Sequence, residues 1–305
     1  MAVPAGPQIK LSDVAAEFSD TAPFQMSEFY RGGAKVPNVP GNAAVAASGA
    51  LGLQSFKGTQ NRSTLALEIP ASTQNYDVFT NANPSPSYVA GTTDVTLTIP
   101  APVIVGSSST GTYALSVPNG FTSGDTVTIV NNGVVQGRGG NGGSQPNNPG
   151  GGAGNAVYVN FATTITNNGT LAGGGGGGAG GLHRNGNRLV GGTPKNPGSP
   201  QPVFIAGGGG GGGAGNTAGS GGSPNGGSGN STSGGGGGGG SSGPFVNPKG
   251  PSGTLTANPG GAGGGRGANG AGAPSGSSGG GRGSYLVGNP LVTYPATGTR
   301  QGSVS

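Results

Sequence analysis

The side chains able to do chemistry in this chain of 305 residues are few and unevenly placed. His183 is the single histidine and cysteine is absent, so the chain offers neither a histidine-based nor a thiolate metal centre, and no disulfide. All eight acids, Asp13, Glu17, Asp20, Glu28, Glu68, Asp77, Asp94 and Asp125, lie before residue 126. A carboxylate pair for glycoside cleavage can come only from that half, where Asp77 and Asp94 are the candidates. Gly-x-Gly-x-x-Gly matches fall inside glycine runs. They lack the strand-to-helix context and the acid about 20 residues later that a dinucleotide site requires. No acid shares a segment with His183 to orient it as a base, so it reads as a loop contact. The sequence predicts no enzyme and no cofactor.

Charge is split along the chain. The first 125 residues hold five bases against eight acids, a net −3. Everything after Asp125 holds eight bases, Arg138, Arg184, Arg188, Lys195, Lys249, Arg266, Arg282 and Arg300, and no acid. A basic distal part suits an anionic surface such as bacterial lipopolysaccharide. The competing reading is that sparse Arg residues in a glycine array bond carbonyls or aid solubility. The bases are isolated rather than clustered, which speaks against nucleic acid. No run of about 18 apolar residues exists to insert in a membrane. The N-terminus lacks the basic and apolar regions of a signal peptide, so a soluble protein made in a cytoplasm is expected.

The elements that must position these residues are dominated by glycine. There are 75, many in uninterrupted runs at 173–178, 207–213 and 234–240. Such runs bury little apolar surface and lose much conformational freedom on folding, so they cannot form an ordinary core. Residues 1–62 read as a small docking unit. Ile9-Lys10-Leu11-Ser12-Asp13-Val14 recurs as Phe24-Gln25-Met26-Ser27-Glu28-Phe29-Tyr30 and weakly as Leu51-Gly52-Leu53-Gln54-Ser55-Phe56; in the first two, Ser followed by an acid can cap a short helical turn. From Ser63 the apolar period switches to two, as in Val95-Thr96-Leu97-Thr98-Ile99, which predicts a β-sandwich over 63–136. Ile129-Val130-Asn131-Asn132-Gly133-Val134-Val135 resembles the string that begins at Ile165, displaced by 36 positions. Asn-Gly between apolar alternations predicts hairpins, and the fixed displacement predicts stacked units. The fold class expected is mainly β with a glycine-rich, polyproline-II-type array. A helix-and-turn docking unit precedes the sandwich, stacked hairpin–polyglycine repeats fill 137–284, and a C-terminal strand or tail occupies 285–305. Extended glycine strands without side chains can approach closely enough to bond one another through their backbones.

Three strings resemble segments of tailed-phage virion proteins. They are Met26-Ser27-Glu28-Phe29-Tyr30-Arg31-Gly32-Gly33-Ala34-Lys35-Val36-Pro37, Phe121-Thr122-Ser123-Gly124-Asp125-Thr126-Val127 with Gly137-Arg138-Gly139-Gly140, and Leu286-Val287-Gly288-Asn289 with Val292 through Gly302. With the glycine array, the chain is similar to the tail-fibre and tail-tip adhesins of T-even-like phages, the receptor-binding proteins of those particles. The resemblance implies a non-enzymatic virion protein, assembled in the host cytoplasm. Its N-terminal region would dock on other tail or neck proteins, and variable loops on glycine helices would bind a host glycan or outer-membrane protein. It implies no nucleic acid and no membrane insertion, and leaves a homotrimer open. The chain departs from those adhesins in carrying a separate β-domain between docking unit and array. The loops at 182–202 and 241–259 hold the side chains missing from the runs. Receptor-contact candidates are His183, Arg184, Arg188, Lys195, Phe204, Phe245 and Lys249; virion-docking candidates are Phe18, Phe24, Phe29, Tyr30, Arg31 and Phe56. The alternative is a non-adhesive capsid, neck or tail decoration or spike protein.

Overall fold

The computed structural model describes the chain apart from residues 1, 7, 22–24, 145–146, 183, 191–198, 206–212, 214, 224, 239–241 and 246–252; residues 184–190, 199–205, 242–245, 253–256, 289 and 296–297 are described by backbone alone. The N-terminal unit holds helix α1 (Leu11–Glu17) and 3-10 turns at Met26–Phe29, Pro40–Asn42 and Leu53–Phe56. Each copy of the short motif thus forms a helical turn, and in the first the Asp13 carboxylate accepts the Lys10 N–H at 2.9 Å. Val3, Ile9, Val14, Phe18, Phe29, Val36, Val45 and Phe56 make a core of their own. Phe29 lies edge-on to Phe18 and to Phe56, with centroids 6.5 and 6.2 Å apart.

From Ser63 the chain winds in coils. The first coil contributes β1 (Ser63–Glu68), β2 (Thr73–Gln74) and β3 (Tyr76–Asp77), followed by helix α2 (Val78–Ala82). The second contributes β4 (Thr93–Ile99), β5 (Ile104–Gly106) and β6 (Leu115–Val117), and the third β7 (Thr126–Asn131), β8 (Val134–Gln136) and β9 (Val157–Val159). The fourth starts with β10 (Thr163–Ala172). Two hairpins, β11 (Arg184–Val190) with β12 (Ser199–Ile205) and β13 (Ser242–Phe245) with β14 (Gly253–Thr256), intervene before β15 (Ser284–Val287). The fifth coil is β16 (Val292–Gln301) and β17 (Ser303–Val304). Equivalent strands stack: β1, β4, β7, β10 and β16 run side by side, as do β2, β5, β8 and the end of β10, and then β3, β6, β9, β15 and β17. Every pairing in these two sheets is parallel.

The register carries an apolar ladder inward, Leu67 on Leu97 on Ile129 on Ile165. These four join Val105, Leu115, Val135, Val157, Leu171 and Leu286 in one core between the sheets. Each such side chain contributes roughly 1.5–3 kcal/mol when fully buried. The first sheet face alternates strictly, β4 reading buried at Thr93, Val95, Leu97 and Ile99. Strands from 157–304 thus complete sheets begun at Ser63.

Two sequence expectations are corrected here. The strands flanking Asn132-Gly133 do not pair with each other as a hairpin; β7 and β8 both lie parallel to β10. A two-residue hairpin of the I′ kind needs positive φ at both central residues, and neither Asn132 nor Gly133 adopts it. The repeat instead stacks on itself, Asn131 over Asn167 and Val135 over Leu171. Asn131 Nδ2 donates to Asn167 Oδ1 at 2.7 Å, and Asn168 Nδ2 to Asn132 Oδ1 at 2.9 Å. Asparagine therefore fixes the coil corner. The strands expected to make a β-sandwich over 63–136 run parallel in coils instead, because each strand finds its partner one coil away.

The glycine segments leave the third and fourth coils and bond to one another. Along 173–181 the N–H groups of Gly174, Gly177 and Gly180 donate to the carbonyls of Gly154, Gly151 and Asn148. Those of Gly176 and Ala179 donate to Ala268 and Ala271. Carbonyls of Gly175 and Gly178 accept from Gly140 and Gly143, those of Gly176 and Ala179 from Gly264 and Gly261, and those of Gly174 and Gly177 from Gly283 and Gly280. The segment thus touches five others, some parallel and some antiparallel, and each contact recurs every third residue. A side chain would obstruct this approach: a Cβ on Gly175 would fall against the Gly264 carbonyl oxygen, and one on Gly177 against that of Asn141.

Candidate functional site

The array has two ends. At the near end the segments join strands: the Gly137 N–H donates to Ala172, Gly173 to Gln301 and Ala156 to Ser284. At the far end, segment 173–181 finishes beside Asn147, whose N–H donates to the Gly181 carbonyl at 3.1 Å. Asn147 adopts a left-handed φ of 56°, which asparagine tolerates. It gathers the next loop, with Ser275 Oγ donating to its Oδ1 at 2.7 Å and Ser277 Oγ to its carbonyl at 2.9 Å. The Ser223 N–H donates to Ser144 Oγ at 3.3 Å, which brings a third loop to the same end. Both hairpins start here as well. Leu182 is exposed just before β11, and Gly181 lies against the carbonyl of Asn258, which follows β14. β11 neighbours β13 and β14, and β12 neighbours β13.

Of the receptor-contact candidates, Arg184 and Arg188 stand on β11 opposite Ile205 and Gln201, Phe204 on β12 opposite Asn185, and Phe245 on β13 opposite Gly253. His183, Lys195 and Lys249 lie outside the described residues. The far end therefore brings the two predicted loops together. It also adds loops around Asn147, Ser223 and Ser275 that the sequence reading passed over. A signal for them exists: Pro149, Pro200, Pro202, Pro244, Pro259 and Pro274, every described proline between residues 137 and 283, all lie at the far end. The near-end turns at Thr217, Asn230–Ser233 and Arg266-Gly267 contain none.

The other bases divide from these. Arg138 Nη1 donates to the Ser108 carbonyl and Arg266 Nε to that of Ser231 at 2.8 Å, both near-end contacts. Burial lowers the Arg266 pKa. Arg300 lies over the Tyr294 ring, 4.7 Å from its centroid. Carbonyl bonding thus accounts for two of the array's bases, Arg138 and Arg266.

Residues 64–305 match the family model of the phage tail fibre adhesin Gp38. The chain belongs to that family. It is a tail-associated adhesin and a component of the phage particle. Its matched region begins one residue into β1 and takes in all five coils and the array. The crystal structure of the gp37–gp38 adhesin tip complex of the bacteriophage S16 long tail fiber aligns with 100% of this chain and 100% of that one, at 20% identity and a TM-score of 0.44. Among curated proteins none matches.

In this adhesin Phe18, Phe29 and Phe56 are buried in the N-terminal core, at 3%, 0% and 0% exposure, and so are not a docking surface. Tyr30 and Arg31 remain half-exposed; Phe24 lies outside the described residues. The carboxylate candidates sit apart. Asp77 on β3 caps α2 by accepting the Thr80 N–H at 2.8 Å and also takes Ser116 Oγ at 2.8 Å. Asp94 on β4, in the other sheet, pairs with Arg62 Nε at 2.8 Å and accepts Thr126 Oγ1 at 2.6 Å. Each is committed to a structural bond, and they do not form a pair for acid–base chemistry. Among the described residues no cluster of acids or histidine could hold a metal, and no helix is long and apolar enough to cross a membrane.

Proposed function

We propose that this adhesin binds the host cell surface through the far-end loops of its glycine array, and that the array is a bundle of polyproline-II-type glycine helices. The observation that carries both parts is hydrogen bonding repeated every third residue between glycine segments whose turns gather five loops at one end. A three-residue repeat is that of polyproline II, and φ along 173–181 is never positive, in keeping with its left-handed form. Such a bundle is stiff and chemically inert, so recognition falls to the side chains that interrupt it. Arg184, Arg188, Lys195 and Lys249 suit surface phosphates or acidic sugars, and Phe204 and Phe245 suit apolar patches of a glycan or outer-membrane protein. The role is binding without catalysis. Residues 1–62 attach the adhesin to other tail proteins. A cysteine-free chain is suited to assembly in a reducing host cytoplasm.

The test is an Arg184→Ala, Arg188→Ala, Lys195→Ala triple variant carried on phage particles. Adsorption to host cells should fall by about tenfold or more, the equivalent of roughly 1.4 kcal/mol. The thermal unfolding temperature of the isolated chain should stay where it was. Undiminished adsorption rejects the assignment, and a lowered unfolding temperature at full adsorption gives these bases a structural role instead.

A further inference from the structure

Three turns of the far end share one way of closing. In the turn at 144–148 the Asn148 N–H donates to the Ser144 carbonyl at 3.2 Å, and in that at 222–226 the Gly226 N–H donates to Gly222 at 2.9 Å. The turn at 273–277 closes through the Ala273 N–H on Ser277 and the Gly276 N–H on Ala273, both at 3.0 Å. Each carries a left-handed residue next to its last position, Asn147 at φ 56°, Asn225 at 61° and Gly276 at 95°. Glycine takes such a φ without steric cost, as Gly276 and Gly267 do in this same array. Position 147 nevertheless carries a side chain, and that side chain is bonded.

Asn147 reaches two neighbours by separate groups. Its N–H donates to the carbonyl of Gly181, three residues before β11, so its backbone is tied to the root of the first hairpin. Its carboxamide oxygen accepts Ser275 Oγ at 2.7 Å, and its carbonyl accepts Ser277 Oγ at 2.9 Å. Both serines belong to the 273–277 turn, and all three residues are half-buried. Backbone bonding of the glycine segments sets the height of that turn, since the Gly150 N–H donates to Ser278 at 3.1 Å. Only the bonds to Asn147 hold its tip toward the hairpin root.

We infer that Asn147 is a positioning residue of the host-binding surface: it clasps the 273–277 turn against the root of the first hairpin, so that the two present one contact face. The inference rests on the reading that far-end loops bind the host. It adds that the relative placement of two loops, as well as the side chains they carry, determines how well the surface fits.

The test replaces Asn147 by Gly and Ser275 by Ala on phage particles, singly and together. Glycine keeps the left-handed turn and the backbone bonds to Gly181 and Ser277, and removes only the carboxamide. Each single variant should lower adsorption to host cells about fivefold, roughly the factor carried by one ordinary hydrogen bond. The double variant should fall no further, because both changes cut the same bond. The unfolding temperature of the free chain should move by no more than about 3 °C. Asn225 has no side-chain partner among the described residues, so Asn225→Gly joined to Ser275→Ala should give the product of the two single effects. Ser275→Thr keeps the hydroxyl and should adsorb as the native particle does. Undiminished adsorption of both single variants overturns the inference, as do losses that multiply in the Asn147→Gly, Ser275→Ala double variant. So does a loss in Ser275→Thr as large as that in Ser275→Ala. The Arg184→Ala, Arg188→Ala, Lys195→Ala variant separates this clasp from the reading beneath it. If that variant loses adsorption while the Asn147 and Ser275 variants do not, the far end binds the host and the clasp is rejected. If the clasp variants lose adsorption and the basic variant does not, the clasp stands and the bases are rejected as contacts. Full adsorption of every variant rejects both.

Discussion

Asp125 ties the turn between the second and third coils by accepting three hydrogen bonds, from Tyr88 Oη at 2.8 Å and from the N–H groups of Thr93 and Thr122 at 3.0 Å each. Around it Phe79, Tyr88 and Phe121 meet edge to face, with centroids 5.1–6.0 Å apart. Burial, with the bond to Asp125, pushes the Tyr88 phenol from an ordinary value of 10 up to about 12. Burial does the same to Tyr294. A raised phenol pKa means the fold favours the neutral form. Its stabilisation is complete below pH 10 and is lost as pH climbs from there through about 12. Thermal unfolding of the adhesin should therefore move to lower temperature across that window. Replacing Tyr88 by Phe should cost about 1 kcal/mol at neutral pH through the lost hydrogen bond. It should also flatten the alkaline decline, leaving the part carried by Tyr294. A decline as steep in the variant as in the native chain would remove Tyr88 from this account.

At the scale of elements, the sequence discloses periods better than partners. The two full copies of the apolar–Ser–acid motif announce their helical turns because capping is local, as Asp13 shows by bonding Lys10 three residues back. The 36-residue repeat announces stacking, and equivalent residues do stack, Ile129 on Ile165. Strand direction stays hidden, because parallel and antiparallel strands share the same inside–outside alternation. Asn-Gly reads alike whether it closes a hairpin or stacks on a second Asn at a corner. The far hairpins were legible as interruptions of glycine, whereas the loop at Asn147 owes its place to bonds with Ser275 and Ser277, about 130 positions away. Within the array the sequence cannot tell one glycine from another, but the packing can. A Cβ at Gly177 meets the Asn141 carbonyl, while Gly236 and Gly281 have nothing within 4 Å. Gly177→Ala should destabilise the chain by about 1–3 kcal/mol, as overpacking does. Gly236→Ala and Gly281→Ala should leave the unfolding midpoint within about 0.5 kcal/mol of the native chain. Equal effects at all three positions would mean that the segments are not held at these close approaches.

The whole molecule is electrically polar. Acids are confined to the first 125 residues, which build the docking unit and the opening coils, and the remainder is wholly basic. Half of its eight bases fall between residues 184 and 249, the stretch that holds the first far-end hairpin and the opening strand of the second. A particle presenting that end to an anionic cell surface would be steered toward it. Steering fades with ionic strength, since the screening length shrinks from about 10 Å at 0.1 M salt to about 3 Å at 1 M. Adsorption of particles carrying the native adhesin should therefore slow markedly as salt is raised. The Arg184→Ala, Arg188→Ala, Lys195→Ala variant should start slow and respond little. Near-end bases give the internal control. Arg138 and Arg266 spend their hydrogen bonds on the carbonyls of Ser108 and Ser231. Replacing both by Ala should lower the unfolding temperature and leave the salt response of adsorption intact. Parallel salt curves for native and triple-variant particles would show that the far-end charge takes no part in approach to the host. Recognition would then rest on the apolar and hydrogen-bonding groups of the loops.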